Sequence, residues 1–178
     1  MADQEDRSAI VIDAGTTMFR CGYAGFETPH NTFPPIIGSH PSTARFKRSP
    51  YIGDEAEVKL DILTPKKAFK SEGRFSNWDD FELLLQHAYY NELRVKPDEQ
   101  TVIQAMPALS TQQDRCKVAQ INFETFGLAG VSLPSELLLT TYAQGRVDGL
   151  AVMLGETMSY VAPVLESKVK HVVSLNYG

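Results

Sequence analysis

The chain has little cysteine, one tryptophan, no long apolar run and no excess of positive charge, and each shortage removes a class of protein. Two cysteines in 178 residues, Cys21 and Cys116, are too few and too far apart for a disulfide framework or a zinc site. Both are expected as small buried hydrophobes. No apolar stretch approaches the ~20 residues of a membrane-spanning helix, and the opening MADQEDRSA lacks a signal peptide's basic-then-apolar order. The expectation is a soluble cytoplasmic protein with no membrane partner. With 17 basic against 22 acidic residues and a net charge of -5, nothing favours nucleic acid as a partner. His30, His40, His87 and His171 show no metal-ligand spacing, and no nucleophile-base pair is visible. What is present is 43% hydrophobic content, enough for a packed core.

The pattern of that content is α/β. Residues 1–7 are acidic and polar and are expected to be disordered. Ile10 to Ile12, Arg20 to Tyr23 and Phe33 to Ile37 read as strands, the last at a sheet edge because of Pro34 and Pro35. GSHPSTARFKRSP follows as a basic loop, then a short compact stretch, YIGDEAEVKLDILTPKKAF. Three helices are clearer. SNWDDFELLLQHAYYNEL puts Phe81, Leu84, Leu85, Ala88 and Tyr89 on one face, with Ser76 as N-cap and Asp79 and Asp80 in the first turn. STQQDRCKVAQINFETFG opens with a capping box from Ser110 to Gln113 and stops at Gly127. PSELLLTTYAQG is capped by Ser135 and closed by Gly145. TVIQAM, GVSL, LAVML, SYVAPVL and KHVVSL read as strands, which completes an α/β domain with a mixed sheet flanked by helices.

These words in this order resemble the first half of actin and of the actin-related proteins. The strongest run is SNWDDFELLLQHAYYNELRVKPDE; YIGDEAE, INFETFG, Tyr142 to Arg146 and Pro163 fit the same pattern. The resemblance implies an actin-like ATPase fold of the ribonuclease H-like kind. It divides the chain into a core of residues 8–37 and 66–178, forming one actin-like half over 8–178, and a small insertion subdomain over 38–65. In that family two hairpins wrap the phosphates of Mg-ATP.

On this chain the resemblance makes Asp13, Gly15, Thr16 and Arg20 the phosphate-site candidates of the first hairpin, IVIDAGTTMFRCGYAG. Thr17 stands where the family has glycine, and Arg20 where it has lysine, so the hairpin is weakened. Gly155 and Glu156 are the candidates of the second hairpin. There Met153 replaces a carboxylate that orients the water shell of magnesium, and a thioether is a poor partner for a hard cation. Thr157 removes a glycine. Glu136 replaces the glutamine that positions the attacking water, turning a donor-acceptor into an acceptor at neutral pH. A helix-terminal glutamate favoured by the dipole explains Glu136 equally well. Glu72 stands in place of a phosphate-sensing histidine.

Two readings follow. The first is a non-catalytic, actin-like structural or interaction subunit of a larger cytoskeletal or motor-associated assembly: a pseudo-ATPase with no catalytic residue, no metal and no cofactor. The second is an actin-related protein that still binds Mg-ATP and whose second half is missing from this sequence. The loop around Arg45, Phe46, Lys47 and Arg48 is shorter and more basic than the family's inter-subunit loop, so no conventional actin filament is expected. If the chain ends at Gly178, the helix carrying Phe123 and Phe126, the Leu137 to Leu139 run and KHVVSL are expected to present apolar surface on the hinge side. A protein partner in an obligate complex would cover it.

Overall fold

Three sheets order the chain in a computed structural model that describes residues 8–40, 49–69, 77–156 and 158–176. The first sheet is mixed and runs β3 (Asn31–Phe33), β2 (Phe19–Tyr23), β1 (Ile10–Ala14), β7 (Thr101–Ala105), β8 (Gly130–Ser132). Strand β1 pairs antiparallel with β2 and parallel with β7, and β7 pairs parallel with β8. Alternation explains the seating of β1: Ile10 and Ile12 are fully buried while Val11 and Asp13 lie on the other face. A second, antiparallel sheet centres on β10 (Met158–Leu165), flanked by β9 (Gly149–Leu154) on one edge and by β11 (Lys168–Val169) and β12 (Val173–Asn176) on the other. The third is β5 (Tyr51–Ile52), β4 (Ile36–Ser39), β6 (Thr64–Lys67), with a short helix α1 (Asp54–Glu57) between β5 and β6.

The expected edge strand Phe33 to Ile37 divides at its prolines. Phe33 ends β3, at the edge of the first sheet, and Ile36 begins β4, the centre of the third. From residue 77 on, the described residues contribute to the first and second sheets, which have separate buried clusters. The larger cluster is built from β1, β2, β7 and the helical residues within 81–89 and 118–121; the smaller joins Leu137 to Ala151, Tyr160, Ala162 and Val164.

Helix α2 (Trp78–Gln86) continues into a π-helical run, His87–Glu92, and α3 (Gln112–Gln120) likewise into Ile121–Thr125. Phe81, Leu84, Leu85, Ala88 and Tyr89 are all fully buried, as their spacing requires. The cap is one position later than expected: Asn77 accepts from Asp79 N, and Ser76 lies outside the described residues. Asp80 in the first turn meets Lys66 Nζ of β6 at 2.5 Å, tying α2 to the third sheet. The capping box of α3 is also shifted by one, to Thr111 and Asp114, because the aspartate reaches back to Thr111 N at 2.8 Å. Where the two π-helical runs meet, Tyr89 Oη donates to Asn122 Oδ1 at 3.1 Å, and Asn122 Nδ2 donates to Gln104 Oε1 of β7 at 3.0 Å. A buried polar contact thus sets the register of α2, α3 and β7 on one another. Gly127 and Gly145 end their helices with φ of 67°.

Two surface expectations change. Cys21 is buried, but Cys116 is exposed on α3. Phe126 packs edge-on against Tyr89 and Leu137 is fully buried, so neither offers apolar surface; Phe123 is exposed. Val173 and Leu175 of the KHVVSL run are exposed as expected, and they belong to a larger apolar face of the second sheet. Leu150, Val152 and Leu154 of β9, Val161 of β10 and Val173 and Leu175 of β12 share it by register. Helix α4 (Glu136–Ala143) packs on β9 and β10, where Leu137 joins the opposite face of that sheet. Residues 1–7, Glu72 and the basic residues Arg45, Lys47 and Arg48 lie outside the described residues.

Candidate functional site

Strand register makes the site before any side chain is considered. In the first hairpin Ala14 faces Phe19 and Asp13 faces Arg20. In the second, Leu154 faces Ser159 and Met153 faces Tyr160. The two hairpins therefore share one register, and each has a glycine directly after its first strand. A Cβ on Gly15 would stand 2.8 Å from the carbonyl oxygen of Met18, and one on Gly155 would stand 2.7 Å from that of Met158. Both distances lie below any real Cβ contact, so glycine is required at both turns for the backbone to close.

The hairpins and the start of α4 enclose a cleft of about 310 Å³. Nine residues singled out from the sequence line it: Asp13, Gly15, Thr16, Thr17, Arg20, Glu136, Met153, Gly155 and Glu156; Thr157 lies outside the described residues. Cross-strand pairing gives the first hairpin a charge pair, with Arg20 Nη1 donating to Asp13 Oδ2 at 2.9 Å. The matching pair of the second hairpin is Met153 and Tyr160, a thioether beside a phenol. Across the cleft, Thr17 Oγ1 donates to Glu156 Oε2 at 2.6 Å, a length typical of a hydroxyl on a carboxylate.

Glu136 sits at the first position of α4, and its own N–H donates to Met106 O at 3.0 Å. Its Oε1 accepts from Ala108 N at 2.9 Å. Ser135 occupies the N-cap position as expected, but its hydroxyl makes no bond to the helix, so Glu136 is what fastens this end of α4 to the loop after β7. Burial pushes the Glu136 carboxyl above the ordinary carboxylate range; the Ala108 N–H draws it partly back, and the Asp13 charge adds to the rise. Tyr160 is also raised, by burial and then by the Glu136 charge. Tyr160 escaped the sequence reading, although its place opposite Met153 follows once that hairpin's register is drawn. Among the described lining residues, three carboxylates, Asp13, Glu136 and Glu156, stand with one cation, Arg20, already bound to Asp13.

A mixed sheet flanked by helices, with two like hairpins facing a cleft, defines an actin-like ATPase fold, and the family model for actin matches residues 4–178. The sequence is similar to actin-29 of Dictyostelium discoideum, at 35% identity over 170 residues, which covers 92% of this chain and 43% of that protein. The chain belongs to the actin family. It spans less than half the length of that relative.

Proposed function

We propose that this chain is a non-catalytic, actin-like interaction subunit of a larger cytoskeletal or motor-associated assembly, with the family's nucleotide cleft retained as structure. The observation that carries the reading is the charge of the cleft. Its one described cation is committed to Asp13, while Glu136 and Glu156 add carboxylates where a triphosphate would bring several negative charges. Magnesium fares no better. Met153 offers sulfur, which binds a hard cation poorly, and Glu156 already holds a hydroxyl from the opposite hairpin. On this reading the lining holds Mg-ATP poorly, and no catalytic step is assigned to these residues.

Partner binding is supported by the apolar face of the second sheet, where Leu150, Val152, Leu154, Val161, Val173 and Leu175 stand together. Contiguous exposed apolar surface of this kind marks association rather than solvation. A protein partner, a cytoplasmic and cytoskeletal setting, and the absence of conventional filaments belong to the same proposal.

The reading in which Mg-ATP still binds has one observation in its favour, the two glycine turns in matching register. Calorimetry separates the two. Titration of Mg-ATP into the purified protein, with whatever partner accompanies it, is expected to give no more than the heat of dilution, and no phosphate release should follow. Micromolar binding with turnover would overturn the proposal.

A further inference from the structure

The two sheets that face the cleft are tied together at one end through α4. Met106 N donates to Pro134 O at 2.8 Å, Glu136 N to Met106 O at 3.0 Å, and Ala108 N to Glu136 Oε1 at 2.9 Å. Arg115 Nη1 adds a bond to Leu133 O. These bonds hold the loops between β7 and α4. The hairpin turns project from different sheets, and Thr17 and Glu156 lie 139 residues apart in sequence. Their side chains nonetheless meet at 2.6 Å.

We propose that Thr17 and Glu156 form an intramolecular latch that fastens the two hairpins across the cleft. The chemistry suits the task. A threonine hydroxyl is a strong donor to a carboxylate, and the pair is short enough for a charge-assisted bond. The β-branched side chain has restricted rotamers, so the hydroxyl is held in place at small entropic cost. Glycine at position 17 would offer no donor. The latch also has a lever: the α4 end acts as a fixed joint and the hairpin turns as the free ends, so one bond at the turns restrains the opening of the whole cleft. Any ligand entering between the turns must break it. The latch stands apart from the catalytic reading, since its bond involves no nucleotide.

Amide hydrogen exchange, read by mass spectrometry on the protein purified with its partners, tests the latch without nucleotide. In Thr17→Val, which keeps the shape and removes the donor, exchange is expected to quicken roughly tenfold in the peptides covering 14–20 and 153–160 together, as for loss of one charge-assisted bond discounted for exposure. Thr17→Ser, which keeps the hydroxyl, should exchange like the parent. Glu156→Gln, a neutral acceptor, should fall between them. Peptides from the α2 core, residues 81–89, serve as the control and should not change. An effect of Thr17→Val confined to its own hairpin, or equal exchange in the valine and serine variants, would overturn the latch. General quickening that includes 81–89 would also count against it, because the change would then be unfolding. Should Thr17→Val fail to fold, Glu156→Gln alone decides: unchanged exchange at 14–20 refutes the proposal.

Discussion

Replacing Glu136 by glutamine is expected to stabilise the protein at neutral pH. The carboxyl is half-buried at the start of α4, accepts from Ala108 N at 2.9 Å, and is raised by burial and by Asp13 more than the hydrogen bond lowers it. A raised acid binds its proton more tightly in the folded state than in the unfolded one. Stability therefore falls as pH climbs from the unfolded carboxylate value through the raised folded value, and stays lower above it. The substitution Glu136→Gln keeps an oxygen to accept from Ala108, removes the charge and ends the repulsion with Asp13. The retained bond to a neutral acceptor is worth about 0.5–1.5 kcal/mol, somewhat less than a charged one. Relief of the buried charge exceeds that loss, since the raised carboxyl shows the balance to be unfavourable to the ion, and the net gain is on the order of 1 kcal/mol. For a chain of this size that is a melting point higher by about 2–4 °C. Thermal melts at pH 7.5 should show it, and melts near pH 4, where the parent carboxyl is protonated, should nearly coincide. A variant that melts below the parent at pH 7.5, or one whose gain is the same at both pH values, would refute the reasoning.

Asn122→Ala should cost about 2–4 kcal/mol in urea unfolding, because it leaves Tyr89 Oη and Gln104 Oε1 buried without the partners they have at 3.1 and 3.0 Å; a cost below ~0.5 kcal/mol would show that the polar contact does not hold the π-helical runs in place. Paired substitution of Val152 and Leu154 by lysine should leave the melt nearly unchanged, since both side chains are exposed, but should abolish recovery of the protein's partner in affinity purification; full recovery would remove the second-sheet face from the proposed interface.

The legible parts of the fold were those written in local periodicity. Phe81, Leu84, Leu85, Ala88 and Tyr89 recur at helical spacing, and every one is buried. Cap positions slipped by one residue at α2 and α3 because several adjacent polar side chains can cap, and only backbone geometry chooses among Ser110, Thr111, Ser76 and Asn77. The division of Phe33 to Ile37 between two sheets was hidden, since prolines announce a break without saying where each half pairs. Phe126 turned inward because α3 continues as a π-helix after Gln120, which shifts the face on which later side chains emerge, whereas Cys116 lies before that run on the exposed side of α3. The cleft residues were found by resemblance, and the structure brings nine of them to one cavity. What residue types alone left open was how they would bond. Residue types did not show that Arg20 would pair with its cross-strand neighbour Asp13 or that Thr17 would reach the opposite hairpin.

Which positions set the shape of the cleft and which set its charge follows from what each residue does for the backbone. Gly15 and Gly155 stand where a single added carbon would strike a carbonyl at 2.8 and 2.7 Å, so substitution there would deform the turn that the strands on both sides depend on. Met153 and Arg20 carry no such constraint. They sit in paired strand positions, where a side chain that suits its cross-strand partner leaves the ladder intact, although Met153 also packs against the second cluster. Glu136 lies between these cases: its oxygen fastens α4 to Ala108, a service that either a carboxylate or an amide performs, so position 136 constrains shape and leaves charge free. Phosphate chemistry in such a site depends on the residues that the backbone can afford to lose. The hairpins of this chain are held by glycines and register.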